Sequence, residues 1–514
     1  MGAATLKSYR TLPWDLIVIC GLAAIFRFWD LGGRPPHFDE GINGNFVDSI
    51  WRNGFYPYDP KNFHGPLFFY LLQMAEMLLG RSVEAYRTVT VLLSLATIVL
   101  VYRYKRWIGP SVRWPAMILA VSPAFTFYAR DAIHETLFVF GQVTLSYGLL
   151  HQLSGKRREG WIAMTMGAVI LAATKETFVV FMGTLAIALG MVKAMPGRFL
   201  MPKLSSPIEI GEEVETITLA ERLLLVGAGL FTLAALFTGY FQSWRGIVDF
   251  FRAFALWSHT GVTASGHSKP MTYWLKLMLH YEWWALLGLL LSLALSFWPT
   301  ARVGRLARLI GLLAFGTFAA YSLIGYKTPW LILNMLWPIA LSVGFFAHAF
   351  PTFLPKIGQL LLALAIFGHA GFTSYRVCFV RYESEAEPYV YVHTTDECKK
   401  VIAVLEKTRK RQPEILTFPI AILHRDSWPL PWVLGRYTKP AFVKVASWQP
   451  TEEPMLLLFD AKDRSEVERS IKGQWYVLPF KLRHSYVPGF AYFRADVFAG
   501  SFPKDAMTVR GGGP

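Results

Sequence analysis

Apolar runs separated by short polar connections make up the first three quarters of the chain. They fall at 14–29, 82–102, 114–129, 133–151, 160–174, 177–194, 221–240, 282–298, 309–325, 330–349 and 357–375. A helix needs roughly 20 predominantly apolar residues to cross the hydrocarbon region of a bilayer. The pattern therefore predicts a mainly α-helical, polytopic membrane protein with about eleven spans. The first run lacks a small-residue cleavage site and is followed by bulky, polar sequence, so it reads as a retained signal anchor with its N-terminus inside.

The basic residues give an independent check on that topology. Lys7 and Arg10 precede the first run, and four clusters recur at every second connection: Arg103, Lys105, Arg106 and Arg113; Lys156, Arg157 and Arg158; Lys193, Arg198 and Lys203; Arg302, Arg305 and Arg308. Lys and Arg accumulate on the cytoplasmic side of membrane proteins. Eleven crossings from a cytoplasmic N-terminus, in the inner (plasma) membrane, leave everything after about residue 376 outside.

Three segments are too polar to span. The first outer loop, 32–81, carries Arg34-Pro35-Pro36 and an apolar stretch from Pro66 to Leu79, short enough to read as a helix lying at the interface. The second, 241–281, reads as amphipathic helices around a Gly/Ser/His-rich centre, Gly261 to Lys269. The third is the tail, 376–514, which separates from the helical domain of 1–375. In it, Tyr389–Val392, Ile415–Ile422, Phe442–Val445 and Met455–Phe459 predict strands, while Glu397–Lys410 and Arg464–Ile471 predict amphipathic helices. Strands alternating with helices point to a small extracytoplasmic α/β domain. The terminal stretch from Arg510 is expected to be disordered.

Composition agrees with a membrane protein. Charged residues are 17% of the 514 and hydrophobic ones 54%, against about 25% charged in an ordinary soluble domain. Aromatics, with 18 Trp among them, gather at the ends of the apolar runs, where rings with a polar edge prefer the headgroup region. The net charge of +16 follows from the cytoplasmic clusters and gives no reason to invoke nucleic acid. Cys20, Cys378 and Cys398 form no zinc spacing, and only the last two could meet outside the membrane.

Candidate chemistry lies in the outer connections. His37-Phe38-Asp39-Glu40-Gly41 sets two adjacent carboxylates just after the first span, where they could act as base and orienter or share a divalent cation such as Mg, Mn or Zn. Phe63-His64-Gly65-Pro66-Leu67 follows in the same loop, with His64 a candidate donor to an anion. The second connection holds Arg130, Asp131 and Glu135, the two acids four apart and on one face if a helix starts there. Lys175-Glu176 and Tyr326-Lys327-Thr328-Pro329-Trp330 close the later outer turns. Arg130, Lys175 and Lys327 are thus cations on the side that topology disfavours, which points to an interfacial phosphate as their partner.

In this order relative to the spans, the motifs resemble the GT-C superfamily of integral-membrane glycosyltransferases, and within it the branch of protein O-mannosyltransferases and the lipid A aminoarabinose transferase. The chain is also similar to a prokaryotic group described as flippase-activity-associated membrane proteins, through Phe-Asp-Glu, His-Gly-Pro-Leu, Lys-Glu-Thr, Pro388 to Thr394 and Trp428 to Trp432. The resemblance implies a GT-C fold, an outer active site at the membrane surface, and inverting transfer of a sugar from a polyprenyl-phosphate donor to a protein, lipid or glycan acceptor. It implies Asp39 as catalytic base with Glu40 and Glu135 beside it, all three also as possible metal ligands, and Arg130, Lys175, His64 and Lys327 at the lipid phosphate. Where the aminoarabinose transferase has a lysine before Pro-Pro-Leu, this chain has His64 before Gly65-Pro66-Leu67. The rival reading is a flippase-associated or transport component without catalysis. Transporters place ionisable groups near the midplane and show repeats, whereas these charges sit at outer span ends.

Overall fold

The computed structural model describes residues 13–62, 64–155, 157–195, 216–263, 267–298, 303–424, 427–448, 452–485 and 487–512, with side chains for 257–263 left aside. Lys7, Arg10, Lys156, Arg198, Lys203, Arg302 and most of the Gly261–Lys269 centre therefore lie outside the described residues or side chains.

A helix occupies each predicted span. In chain order the helices are α1 (Trp14–Phe28), α2 (Phe38–Asn53), α3 (Leu67–Leu79), α4 (Val83–Tyr102), α5 (Lys105–Ile108), α6 (Arg113–Val121), α7 (Pro123–Phe127), α8 (His134–Leu153), α9 (Arg157–Ala172) and α10 (Phe178–Ala194). They continue as α11 (Leu219–Phe237), α12 (Arg245–Thr263), α13 (Tyr273–Tyr281), α14 (Trp283–Phe297), α15 (Arg305–Leu323), α16 (Leu333–Ala349) and α17 (Lys356–Tyr375). By length and composition five helical segments are able to cross a membrane: Val83–Val121, which joins α4 to α6, Leu219–Phe237, Arg305–Leu323, Pro329–Ala349 and Lys356–Val380. Three shorter apolar helices, α3, α10 and α14, accompany them.

Local sequence explains several boundaries. The predicted run 114–129 is broken between α6 and α7, where the Ser122 hydroxyl caps the new helix and Pro123 starts it, a position at which proline costs no hydrogen bond. α8 and α9 form a tight hairpin through glycines. A Cβ on Gly148 would lie 2.6 Å from the Met164 nitrogen, and one on Gly167 would lie 2.5 Å from the Leu145 nitrogen. Such small-residue contacts let membrane helices approach without a hydrophobic drive between them. Arg27, fully buried in α1, is satisfied by Ser94 of α4 and by the carbonyls of Ala23, Leu119 and Ala120, as an ionisable group at this depth requires. Leu223, Leu224, Leu230 and Phe231 of α11 are exposed, an apolar surface suited to lipid.

The tail carries one six-stranded sheet in the order β2-β1-β3-β5-β4-β6, with β1 (Ile420–Leu423), β2 (Pro440–Phe442), β3 (Leu456–Asp460), β4 (Gln474–Phe480), β5 (Gly489–Arg494) and β6 (Thr508–Arg510). β1 pairs with β2 and β3 in parallel, and the remaining pairs are antiparallel. Leu456 and Leu458 enter the core on one face, shared with α18 (Asp396–Arg409), whereas Leu457 and Phe459 enter the core on the other, shared with α20 (Arg464–Ser470). A strand covered on both faces reads as an unbroken apolar run, which is why β3 was legible. Three expectations are corrected. Tyr389–Val392 is irregular backbone rather than strand, β4 and β5 were not foreseen, and Arg510 ends β6 instead of starting a disordered tail. Cys378 and Cys398 are both free and buried.

The tail rests on the helical part through α2. Segment 428–434 contains the short helix α19 (Leu430–Val433), and its Pro429 and Trp432 sit over two glycines. A Cβ on Gly41 would be 2.5 Å from the Pro429 Cα, and one on Gly44 would be 2.3 Å from the Trp432 ring. Arg81 adds a bidentate pair to Asp48 of α2 and donates to the Trp432 carbonyl at 2.7 Å. Arg483, just past β4, lies over the Phe38 ring at 4.7 Å.

Candidate active site

The carboxylate pair after the first span lies in the first turn of α2, a helix where the sequence pattern predicts loop. His37 caps it. The Nδ1 of His37 accepts the Asp39 N–H at 3.1 Å and the Glu40 carboxylate accepts the His37 N–H at 2.8 Å, the reciprocal arrangement of a capping box. Successive helix residues are rotated by about 100°, so the two acids face different surroundings.

Glu40 turns inward. Arg87 of α4 donates to it twice, at 2.7 and 2.8 Å, and the Ala132 N–H donates at 2.9 Å. Burial works against its charge, but the Arg87 guanidinium outweighs it and holds Glu40 below the usual carboxylate range. Arg87 also donates to the carbonyls of Leu31, Arg34 and Pro35. Glu40 is therefore a tether between α2, α4 and the loop before it, not a reacting group.

Asp39 faces the other way. It is half-buried and has no hydrogen bond or ion pair to its carboxylate among the described residues. Burial, with help from the charges of Glu135 and Asp131, raises its pKa above the usual carboxylate value, while His37 and Lys175 oppose the shift. Around it stand His267 from the loop before α13, Tyr326 from the turn after α15, and Tyr391 from the start of the tail, all of which feel the Asp39 charge. Trp330 lies 6.1 Å from the His37 ring and 5.8 Å from the Tyr391 ring.

The other expected residues divide into near and far. Glu135 and Lys175 form an ion pair beside Asp39, with side-chain exposures of 3% and 12%. Asp131 does not share a helix face with Glu135, because α8 starts only at His134. It pairs instead with Arg34 at 2.8 Å. His64 lies against the Lys175 turn through a backbone bridge, its ring 4.1 Å from that of His134. Burial and then the Lys175 charge push His64 down to about 3, so it is neutral. Its Nδ1–H is spent on the Asn62 carbonyl at 2.7 Å, which leaves Nε2 an acceptor unsuited to an anion.

Two of the three cations assigned to phosphate are used elsewhere. Arg130 is fully buried, and its guanidinium caps α1 by donating to the carbonyls of Phe26, Arg27, Trp29 and Asp30. The Lys327 ammonium, in a residue 1% exposed, is bound by the carbonyls of Ile324 and Lys269. A cation that topology would disfavour can thus serve helix-end carbonyls instead of a ligand. Lys269 was missed. It is half-buried, its charge lowers the pKa of the neighbouring His267, and its ammonium has no partner among the described residues.

The expected metal set of Asp39, Glu40 and Glu135 does not fit a cation. Glu40 is neutralised by Arg87 and Glu135 by Lys175, and among the described residues no group of three or more His, Cys, Asp or Glu converges.

No family model and no curated protein matches the sequence. Solved structures do match. ArnT from Cupriavidus metallidurans bound to undecaprenyl phosphate superposes with a TM-score of 0.61 at 13% identity, covering 93% of this chain and 97% of that one. The chain has the GT-C fold. The apo state of the same ArnT gives a TM-score of 0.57 at 13% identity, covering 94% and 98% of the two chains. The Archaeoglobus fulgidus oligosaccharyltransferase in its apo form gives 0.51 at 12% identity, covering 98% and 76%. The GT-C likeness therefore spans both the helical part and the tail, and with the apolar helices it makes this an integral membrane protein.

Proposed function

We propose that this chain is a membrane glycosyltransferase that moves a sugar from a polyprenyl-phosphate donor to an extracytoplasmic acceptor with inversion. One observation carries the reading. Of the acids expected in the site, Glu40 is held by Arg87, Glu135 by Lys175, Asp131 by Arg34 and Glu176 by the Tyr58 hydroxyl at 2.8 Å, whereas Asp39 alone is unengaged among the described residues. A buried carboxylate left without a partner is costly to maintain, and its raised pKa suits a general base. The fold shared with an undecaprenyl-phosphate-bound protein supports the donor class.

In this reading the acceptor hydroxyl attacks the anomeric carbon from the face opposite the phosphate oxygen. Its proton passes to Asp39, and the bond from the anomeric carbon to the lipid phosphate breaks. The departing phosphate gains negative charge, and in this reading Lys175, partly exposed beside Asp39, and Lys269 are the cations that hold it. The topology is the eleven-span arrangement with a cytoplasmic N-terminus, which sets Asp39, the outer loops and the tail outside the plasma membrane. The test is a transfer assay on purified full-length protein with a panel of polyprenyl-phosphate sugars, following donor and product together. Asp39→Asn is expected to lose transfer by about 10²–10⁴-fold, and wild-type transfer by that variant would remove Asp39 from the role.

A further inference from the structure

Tyr391 belongs to neither half of the molecule's secondary structure, yet it is tied to three distant elements. Its carbonyl accepts from the His37 Nε2 at 2.9 Å, its hydroxyl meets the His267 Nδ1 at 2.8 Å, and its ring stands 5.8 Å from that of Trp330, inclined by 66°. The next residue, Val392, has φ of +58°, a region that a β-branched side chain adopts only under constraint. The backbone thus holds Tyr391 in place at a conformational cost.

Tyr391, Trp330 and His267 are all half-buried, so each keeps part of its surface free beside Asp39. Lys269, two residues past His267, is the cation nearest that imidazole in its loop, and its charge is felt there. What remains on the Asp39 side of the cation is a neutral aromatic wall with a hydroxyl and an imidazole at its edge. An apolar ring face bordered by polar groups matches a sugar, whose C–H faces pack on aromatics while its hydroxyls need partners.

We propose that Tyr391, held by His267, is a substrate-contacting residue that forms with Trp330 the wall against which the transferred sugar ring packs. This rests on the glycosyltransferase reading and extends it, because it makes the beginning of the tail part of the donor site. His267 is the positioning residue. It accepts the hydrogen bond of the Tyr391 hydroxyl at Nδ1 and so fixes the direction of the phenol ring.

Two probes separate sugar contact from phosphate contact: undecaprenyl phosphate without sugar, and the undecaprenyl-phosphate sugar that the wild-type protein consumes. Tyr391→Ala is expected to lower kcat/KM for the sugar donor by 10-fold or more, and Tyr391→Phe by about 5-fold for the lost hydroxyl. Binding of undecaprenyl phosphate by either variant should stay within twofold of wild type, while Lys269→Ala weakens it. His267→Ala should fall between the two tyrosine variants, and adding it to Tyr391→Ala should cost nothing more. Unchanged kcat/KM in Tyr391→Ala, or equal loss for both probes, overturns the inference and leaves the glycosyltransferase reading intact. If the wild-type protein consumes no polyprenyl-phosphate sugar, both fall.

Discussion

His37 and Tyr391, 354 residues apart, share one imidazole hydrogen bond that links the start of α2 to the start of the tail. The Nδ1 of His37 accepts the Asp39 N–H, which places the ring proton on Nε2 for the Tyr391 carbonyl. Asparagine caps helices well but is too short to reach the tail in the same way. His37→Asn should therefore keep α2 and its stability while kcat/KM falls about 10-fold through looser placement of Asp39. Transfer at the wild-type rate would mean that the link has no part in positioning.

Asp39 trades stability for chemistry. Its folded-state pKa is raised, so whatever stability it contributes is present below its unfolded value, about 3.9, and is lost as pH rises through the folded value. At neutral pH the buried charge is a penalty. Asp39→Asn should consequently melt no lower than wild type at pH 7, with any advantage gone below about pH 4. A clear destabilisation at pH 7 would show that the carboxylate has a partner in solution.

The pH profile carries the sign of its neighbours. A base must be ionised, so the acid limb of kcat/KM follows Asp39 and lies above the ordinary carboxylate range. Glu135 raises that pKa and Lys175 lowers it. Glu135→Gln removes the first influence and frees the second, so the limb should move to lower pH. A limb that stays fixed or moves up would separate Glu135 from Asp39.

Arg130 is predicted to matter for the fold and not for the donor. Arg130→Met leaves the carbonyls it serves at the end of α1 without their donor, the Arg27 carbonyl in a buried place, a loss of about 1–3 kcal/mol. Thermal inactivation in detergent should fall accordingly, while the donor KM of the folded protein stays within twofold of wild type. A large rise in KM would return Arg130 to the phosphate.

The apolar helices were legible because a bilayer imposes a length and a composition on any helix that crosses it. The tail was half legible. β3 is apolar throughout, but β4 alternates between buried and exposed positions around Pro479, and nothing local marks its pairing with β5. Within the site, Asp39 and Glu40 looked equivalent as neighbours. Their separation follows from helical rotation, and the His-x-x-Glu cap that starts the helix was present in the sequence but unread. Arg130 and Lys327 show the converse. Both stand at helix ends, but sequence does not reveal whether a buried cation meets a ligand or the carbonyl end of a helix. His267 comes from a loop with no periodicity and Tyr391 from a stretch that reads as strand, and only the fold brings them to Asp39.

The seating of Pro429 and Trp432 on Gly41 and Gly44 has a consequence for biosynthesis. The ribosome completes the helical part before it reaches the tail, so a nascent chain carries Asp39 on α2 first without Tyr391 beside it and then without the cover of Pro429 and Trp432. Chains fold domain by domain as they emerge, and here the last domain to emerge finishes the first turn of the second helix. On the proposed function, a chain that stops short of the tail is a membrane protein whose Asp39 lacks its Tyr391 neighbour, unable to spend a lipid-linked donor before synthesis is complete.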